Sequence, residues 1–499
     1  MPQFARLASY ARAAFVLALL ALSWTMVADP SLALEVPAEA ATVTVAEATP
    51  AVTPTPAPTP KAGGEVPPLW LVIPFVVILL MIATGPIFYP HHWHHHYPKY
   101  AVALGVLVGA YYVAIDHTWE PILHAMLEYS AFIALVGSLF IAASGIYVKV
   151  NAKGTAGANV VMLFLSSVIA NLIATTGAAM LFIRAYMRLN EGRLKPYHIV
   201  FFIFLVANVG GALTPIGDPP LFLGFLRGVP FFWTLVNVWY IWLPTTIILL
   251  GIFYVIDSRN KAVAPDPKPG APLIELEGKK NLIWVALIII CVFIDPNVFS
   301  FVPNFYELYH IPFGIREVLM LGIAFAAYKT TPKAILTKNE FTMEPIREVG
   351  FLFLGIFLTM QPALATIADL ASQHADSLTV GMFYWGTGIL SGVLDNAPTY
   401  LNFVAAAMGK FGLDVNSVQS VVEFSELHPE FLQAISVAAV FFGAMSYIGN
   451  APNFMVKSIA EANGVEVPSF GGYIIRYSLP ILMPVYAVVW LIWYSGWIL

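Results

Sequence analysis

The stretch "GALTPIGDPPLF" at residues 211–222 recurs 232 positions later as "GAMSYIGNAPNF" at 443–454. Gly211/Gly443, Ala212/Ala444, Thr214/Ser446, Ile216/Ile448, Gly217/Gly449, Asp218/Asn450, Pro220/Pro452 and Phe222/Phe454 align. Each copy interrupts an apolar run with Gly, Pro and a polar side chain. In hydrocarbon such a break leaves backbone N–H and C=O groups unpaired, at several kcal/mol each. Breaks of this kind are tolerated only where protein or a water-filled cavity satisfies them.

The surroundings are those of a membrane. Of 499 residues, 59% are hydrophobic and 11% charged, with mean hydropathy +0.78, against about 25% charged in soluble domains. The net charge of −5 is spread over loops and points to no nucleic-acid partner. Residues 1–34 read as a signal peptide: Arg6 and Arg12 precede "AAFVLALLAL", and "SLA" offers small residues for cleavage. An uncleaved anchor is the alternative. Residues 35–67, rich in Ala, Pro and Thr, read as a disordered tail on the periplasmic side of a bacterial inner membrane.

A spanning helix needs about 20 apolar residues. Spans are expected near 68–89, 100–116, 129–148, 197–226 (broken), 231–256, 281–295, 315–328, 349–369, 430–462 (broken) and 473–496. Segments 156–184 and 378–409 carry polar residues at their middles and fit no single span. Lys and Arg concentrate on cytoplasmic loops. With an exported N-terminus, only Arg227, Arg316 and Lys410 fall outside if 156–184 enters and leaves by the inner face and 378–409 by the outer. Both are therefore expected to be re-entrant hairpins. The fold class expected is an all-α polytopic membrane protein of two inverted-topology repeats, 68–257 and 281–499, joined by a cytoplasmic linker at 258–280.

The hairpin tips also match, "SSVIANLIATT" at 166–176 with "SGVLDNAPTYL" at 391–401, setting Ser166 on Ser391 and Asn171 on Asn396. Two breaks and two tips meeting near the membrane midplane are the pattern of a secondary transporter site. Asp218 and Asp395 stand out there, because an intramembrane carboxylate is a functional candidate by default. No Arg or Lys lies in either tip or break. The two could bind Na+ together with hydroxyl, amide and carbonyl oxygens, and proton and cation would compete for the same oxygens. Helix capping is the other use of an Asp at a break. An anion site, fed by half-helix N-termini, is the opposite reading.

These paired tips, with "TPIGDPP" and "SYIGNAPNF", resemble the ion transporter superfamily over about 95–498, most closely its ArsB/NhaD branch of NhaD-type sodium:proton antiporters and citrate transporters. By that resemblance, Ser166, Asn171 and Thr175 in the first tip and Ser391, Asp395, Asn396 and Thr399 in the second supply ligands. Thr214, Gly217, Asp218, Ser446 and Asn450 in the breaks complete the site. The first tip departs from the pattern with Ala170–Asn171 in place of an acidic–Asn pair. The resemblance implies a homodimer in membrane lipid and an elevator-like motion of the site. The expected function is exchange of Na+ (or Li+) for H+; the alternative is a Na+- or H+-coupled symporter of citrate or another carboxylate. No cofactor is implied.

Three features stand apart. "HHWHHHY" at 91–97 sets five histidines in six positions, readable as a metal site, a pH sensor or a hydrated interfacial cluster. Cys291 reads as apolar filler. No HExxH, GxSxG or Walker motif is present, so no enzyme is expected.

Overall fold

The computed structural model describes residues 67–295 and 313–496, with 302, 303, 305 and 311 between them. The expected signal peptide 1–34 and the expected tail as far as Val66 lie outside the described residues. What is described is nearly all helix, and seven helices are long and apolar enough to cross a membrane. The chain is a multi-pass membrane protein.

Helix α1 (Ile73–Phe88) is separated from α2 (Pro90–Ala114) by Tyr89 alone. The expected span 100–116 thus begins ten residues early, and the histidines form the first turns of α2 rather than a loop. α3 (Glu120–Ser144) follows, then α4 (Ala156–Leu189), α5 (Pro196–Leu205), α6 (Pro219–Arg227) and α7 (Trp233–Asp257). The second half holds α8 (Asn281–Val292), α9 (Ile315–Thr330), α10 (Lys333–Lys338), α11 (Glu344–Gln373), α12 (Val380–Val393) and α13 (Asn396–Lys410). α14 (Val418–Leu427), α15 (Pro429–Phe442), α16 (Ala451–Ala462) and α17 (Phe470–Trp493) complete it.

Two expectations need correction. The segment 258–280 is more than a linker. It contains β2 (Ile274–Glu277), antiparallel to β1 (Tyr147–Val150) in the register Tyr147↔Glu277 to Val150↔Ile274. Apart from this pair of four-residue strands the described residues are nearly all helix, as expected. Lys149 Nζ lies 3.1 Å from Glu275 and 3.0 Å from Glu277. Such exposed pairs are screened by water and contribute little; the backbone ladder fixes the strands. In turn, α8 at 12 residues is shorter than the expected span 281–295 and too short to cross alone. The helix α14, bent 98° from α15, was not expected.

Both polar-centred segments reverse direction. Asn159 and Asn190, at opposite ends of α4, exchange hydrogen bonds of 2.8 and 2.7 Å. A straight helix would separate them by about 46 Å. The reversal is at Ile173 and Ala174, whose φ/ψ are −121°/18° and 63°/155°. α12 and α13 likewise fold back, with Phe383 and Phe403 rings 6.3 Å apart. The open end of the first hairpin adjoins Asp257 and the start of α5, through Asn159 to Asp257 at 2.8 Å and Tyr197 to Asp257 at 2.7 Å. The loop after the second hairpin adjoins the end of α6, where Arg227 bonds Asn416.

The core sits around α5, whose residues from Ile199 to Leu205 are fully buried. α11 packs on α2, α3 and α13, with Phe132 and Phe353 stacked at 4.4 Å. Outer faces of the spans are apolar and exposed, Ile283 and Phe325 among them, as a lipid solvent requires. The three cations that charge counting leaves outside are all engaged: Arg227 with Glu128, Arg316 with Asp295 and Glu317, Lys410 with the Ala375 carbonyl.

Candidate functional site

The two breaks share one local geometry. In the first, the Gly217 amide donates to Thr214 Oγ1 at 3.1 Å; in the second, the Gly449 amide donates to Ser446 Oγ at 3.2 Å. A Cβ on Gly217 would stand 2.2 Å from the Gly211 carbonyl, and one on Gly449 2.6 Å from that of Gly443. Only glycine permits these backbone approaches. Asp218 and Asn450 then occupy the same extended position ahead of α6 and α16, at φ/ψ −141°/145° and −152°/139°. Each break carries its own asparagine brace. Asn171 donates to the Gly210 carbonyl at 2.6 Å and accepts from the Leu213 amide at 2.8 Å. Asn453 donates to the Gly443 and Ser446 carbonyls at 2.8 Å each.

The tips dock on these breaks. The Thr175 amide donates to the Gly217 carbonyl at 2.8 Å, and the Asn396 amide to the Gly449 carbonyl at 3.1 Å. Thr175 and Asn396 are therefore equivalent, and Ala174 occupies the position of Asp395. This corrects the expected tip register, Asn171 on Asn396, by four residues.

Asp218 is the centre. Its side chain is buried and accepts from Thr175 Oγ1 at 2.7 Å and Asn450 Nδ2 at 2.8 Å on Oδ1, and from Asn396 Nδ2 at 2.6 Å on Oδ2. One donor comes from the first tip, one from the second break and one from the second tip. All three are neutral, and among the described residues no Lys, Arg or His forms an ion pair with it. A hydrogen-bonded carboxylate without a counterion retains its net charge, and such a buried charge is costly unless a cation or a proton joins it.

The other expected residues divide. Asp395 is buried, but its side chain caps α13 by accepting from the Ala397 amide at 3.0 Å. Capping thus describes Asp395; Asp218 makes no side-chain cap bond. Thr399 Oγ1 donates to the Asp395 carbonyl at 2.8 Å. Ser391 donates to the Ala439 carbonyl at 2.6 Å, and Ser166 is buried on the first arm of α4; neither bonds Asp218. Sequence reading missed Asn208, which donates to the Ile203 carbonyl and to Asn453 Oδ1, both at 2.7 Å, and so ties the end of α5 to α16. Its signal was a lone amide in "FLVANVGG".

Several N–H groups that would welcome an anion are absent or engaged. Pro219 and Pro220 open α6 without donors. The Thr175 and Asn396 amides serve Gly217 and Gly449, and the Ala397 amide serves Asp395.

A multi-pass helical protein whose two broken helices and two hairpin tips converge on an unpaired buried carboxylate is a membrane transporter. The chain belongs to the family described as "Putative citrate transport", whose model matches residues 64–494. Among curated proteins it is similar to "Sodium/proton antiporter 2" of Arabidopsis thaliana, 26% identical over 316 residues, 60% of this chain and 68% of that protein. It is also similar to "Sodium/proton antiporter 1" of the same plant, 26% identical over 302 residues, 58% of this chain and 48% of that protein.

Proposed function

We propose that the protein is a secondary active transporter that exchanges Na+ or Li+ for H+, with cation and proton competing for the Asp218 carboxylate. The observation that carries this reading is Asp218 itself: buried, held by three neutral donors, and paired with no cationic side chain among the described residues. Cation and proton can each neutralise it, and not both fully at once. A site that alternates between the two during its passage across the membrane couples their fluxes. Asp395, next to Asn396, adds a second carboxylate to the same region and a further oxygen for Na+. Hairpin mouths that adjoin opposite ends of the α5–α6 stretch support two repeats of inverted topology, with the site between them. Localisation in a bacterial inner membrane, with the N-terminus outside, and assembly as a homodimer belong to the same reading.

Carboxylate symport is the second reading, favoured by the family description. The site argues against it. Citrate would meet two carboxylates, with the Thr175, Asn396 and Ala397 amides at the tips already engaged, so it would need cations bound beside it.

The test uses everted vesicles with a respiratory pH gradient followed by a pH-sensitive dye. NaCl or LiCl should collapse the gradient and KCl should not, with or without citrate. Collapse by no cation, together with citrate uptake into right-side-out vesicles, would replace antiport by symport.

A further inference from the structure

The histidine cluster at the start of α2 plays no part in the site above, and its rings are arranged unequally. His91 and His95, one turn apart, have centroids 4.7 Å apart and planes tilted by 46°. His92 and His96 are 4.4 Å apart and almost parallel, at 9°. The difference matters because an imidazole lone pair lies in the ring plane. Two parallel stacked rings aim their lone pairs along parallel lines, which do not meet on one ion; two tilted rings can converge. His92 is moreover engaged through Nε2 with the Tyr100 hydroxyl at 2.8 Å, and His94 Nε2 lies 3.0 Å from Glu344 on α11.

His95 and His96 share the tautomer a metal needs, His96 with Nδ1 3.0 Å from the His92 carbonyl, so the ring tilt separates the two pairs. His95 Nδ1 lies 2.9 Å from the His91 carbonyl. A carbonyl can only accept, so Nδ1 carries the hydrogen and Nε2 keeps the lone pair. This is the arrangement by which outer hydrogen bonds orient metal-ligating histidines. His91 and His95 are both exposed, so an ion can reach them without unfolding anything.

We propose that His91 and His95 form a two-imidazole site for a divalent cation of the zinc, copper or nickel class, which favours imidazole nitrogen. Among the described residues no three His, Cys, Asp or Glu side chains gather to hold a metal. Water therefore completes the coordination shell, and the ion exchanges readily. The positive end of the α2 dipole weakens binding. The site lies next to α11, which packs on α13 of the second hairpin.

The test is calorimetric titration of ZnCl2 into the purified full chain without a histidine tag. Binding should weaken about tenfold or more in both His91→Ala and His95→Ala. It should change less than about twofold in His92→Ala, His94→Ala and His96→Ala. Loss spread evenly over all five, or no binding by the unaltered chain, would overturn the assignment. Electron paramagnetic resonance of the unaltered chain with one equivalent of Cu2+ tests it without any variant: two coordinated nitrogens are expected, and a single one excludes the pair.

Discussion

The two hairpins place their carboxylates at opposite ends. The first has a neutral tip, Ala174 and Thr175, and a charged mouth. There Asp257 accepts from Asn159, Tyr197 and Arg193, the last with Nη2 to Oδ1 at 2.8 Å, and His198 Nε2 stands 3.1 Å away. The second has a carboxylate at its tip, Asp395, and a mouth whose own residues form no ion pair among the described residues, where Thr379 Oγ1 accepts from the Met382 amide and Lys410 donates to the Ala375 carbonyl. Both tips nonetheless dock on their breaks by the same amide-to-glycine hydrogen bond. The two halves share a backbone device and distribute charge around it differently. The first hairpin is pinned at its mouth to α5 and α7 by the Asp257 cluster, whereas the loop after the second is held by Arg227, which pairs with Glu128 and donates to Asn416.

The sharpest way to break that contrast is at the clamp. Asp257→Ala would leave Arg193 buried and uncompensated, a change that costs about 3–5 kcal/mol. The expected result is a large fall in thermal stability in detergent, whereas Lys410→Ala at the second mouth should shift it little. Comparable losses from both would remove the distinction between the two mouths. The next effect is on transport. Asp218→Asn keeps the size of the side chain and removes its charge, so Na+-driven proton movement should fall by about 100-fold or more, equivalent to ~2.7 kcal/mol of lost stabilisation. Asp395→Asn keeps a good N-cap and should lose less. Should Asp395→Asn abolish exchange while Asp218→Asn spares it, the centre of the site has been placed in the wrong half.

How legible was this in the sequence? The breaks were, because Gly, Pro and Asp or Asn inside an apolar run interrupt the helix that hydrocarbon otherwise demands, and the matched copies set Asp218 opposite Asn450. The tip register was not. Ser and Asn residues invited an alignment through Asn171, but the chain turns at Ala174, a residue type that gives no sign of adopting φ 63°. The strands "YVKV" and "IELE" are four residues each, and Lys149 meets Glu275 across 126 positions of chain. They are too short for alternation to be read against the apolar background. Asn208 was hidden because its meaning depends on Asn453, 245 residues away. Local signals predict where the backbone must break; they do not say which distant side chain completes the break.

Ala174 offers a smaller test of the same comparison. Its φ/ψ of 63°/155° lies in a region populated almost only by glycine, with a strain of about 1–3 kcal/mol. Ala174→Gly should therefore raise the melting temperature, provided the extra freedom gained by the unfolded chain, about 0.4–1 kcal/mol, does not cancel the relief. Asp395, at φ −60°, is unstrained in the equivalent position, so Asp395→Gly should bring no such gain. A fall in melting temperature for Ala174→Gly would mean that the first tip does not turn at that residue.

The smallest expected effect concerns the neutral donor that distinguishes the first tip. Thr175 and Asn396 are equivalent in the backbone, yet one gives Asp218 a hydroxyl and the other an amide. Thr175→Val removes one hydrogen bond to a carboxylate while keeping the shape, at a cost of about 1.5–3 kcal/mol if Asp218 is charged during measurement and about 0.5–1.5 kcal/mol if it is protonated. Cation binding competes for the same oxygen that Thr175 serves, so the loss of the hydroxyl falls partly on the cation-free state. The net change in half-saturating Na+ should then be modest, about fivefold, with Thr175→Ser close to the unaltered protein. A change of about 100-fold in Thr175→Val, matching Asp218→Asn, would make the hydroxyl a ligand of the transported ion rather than a support for the carboxylate. The first tip would then contribute to the cation site as directly as the second.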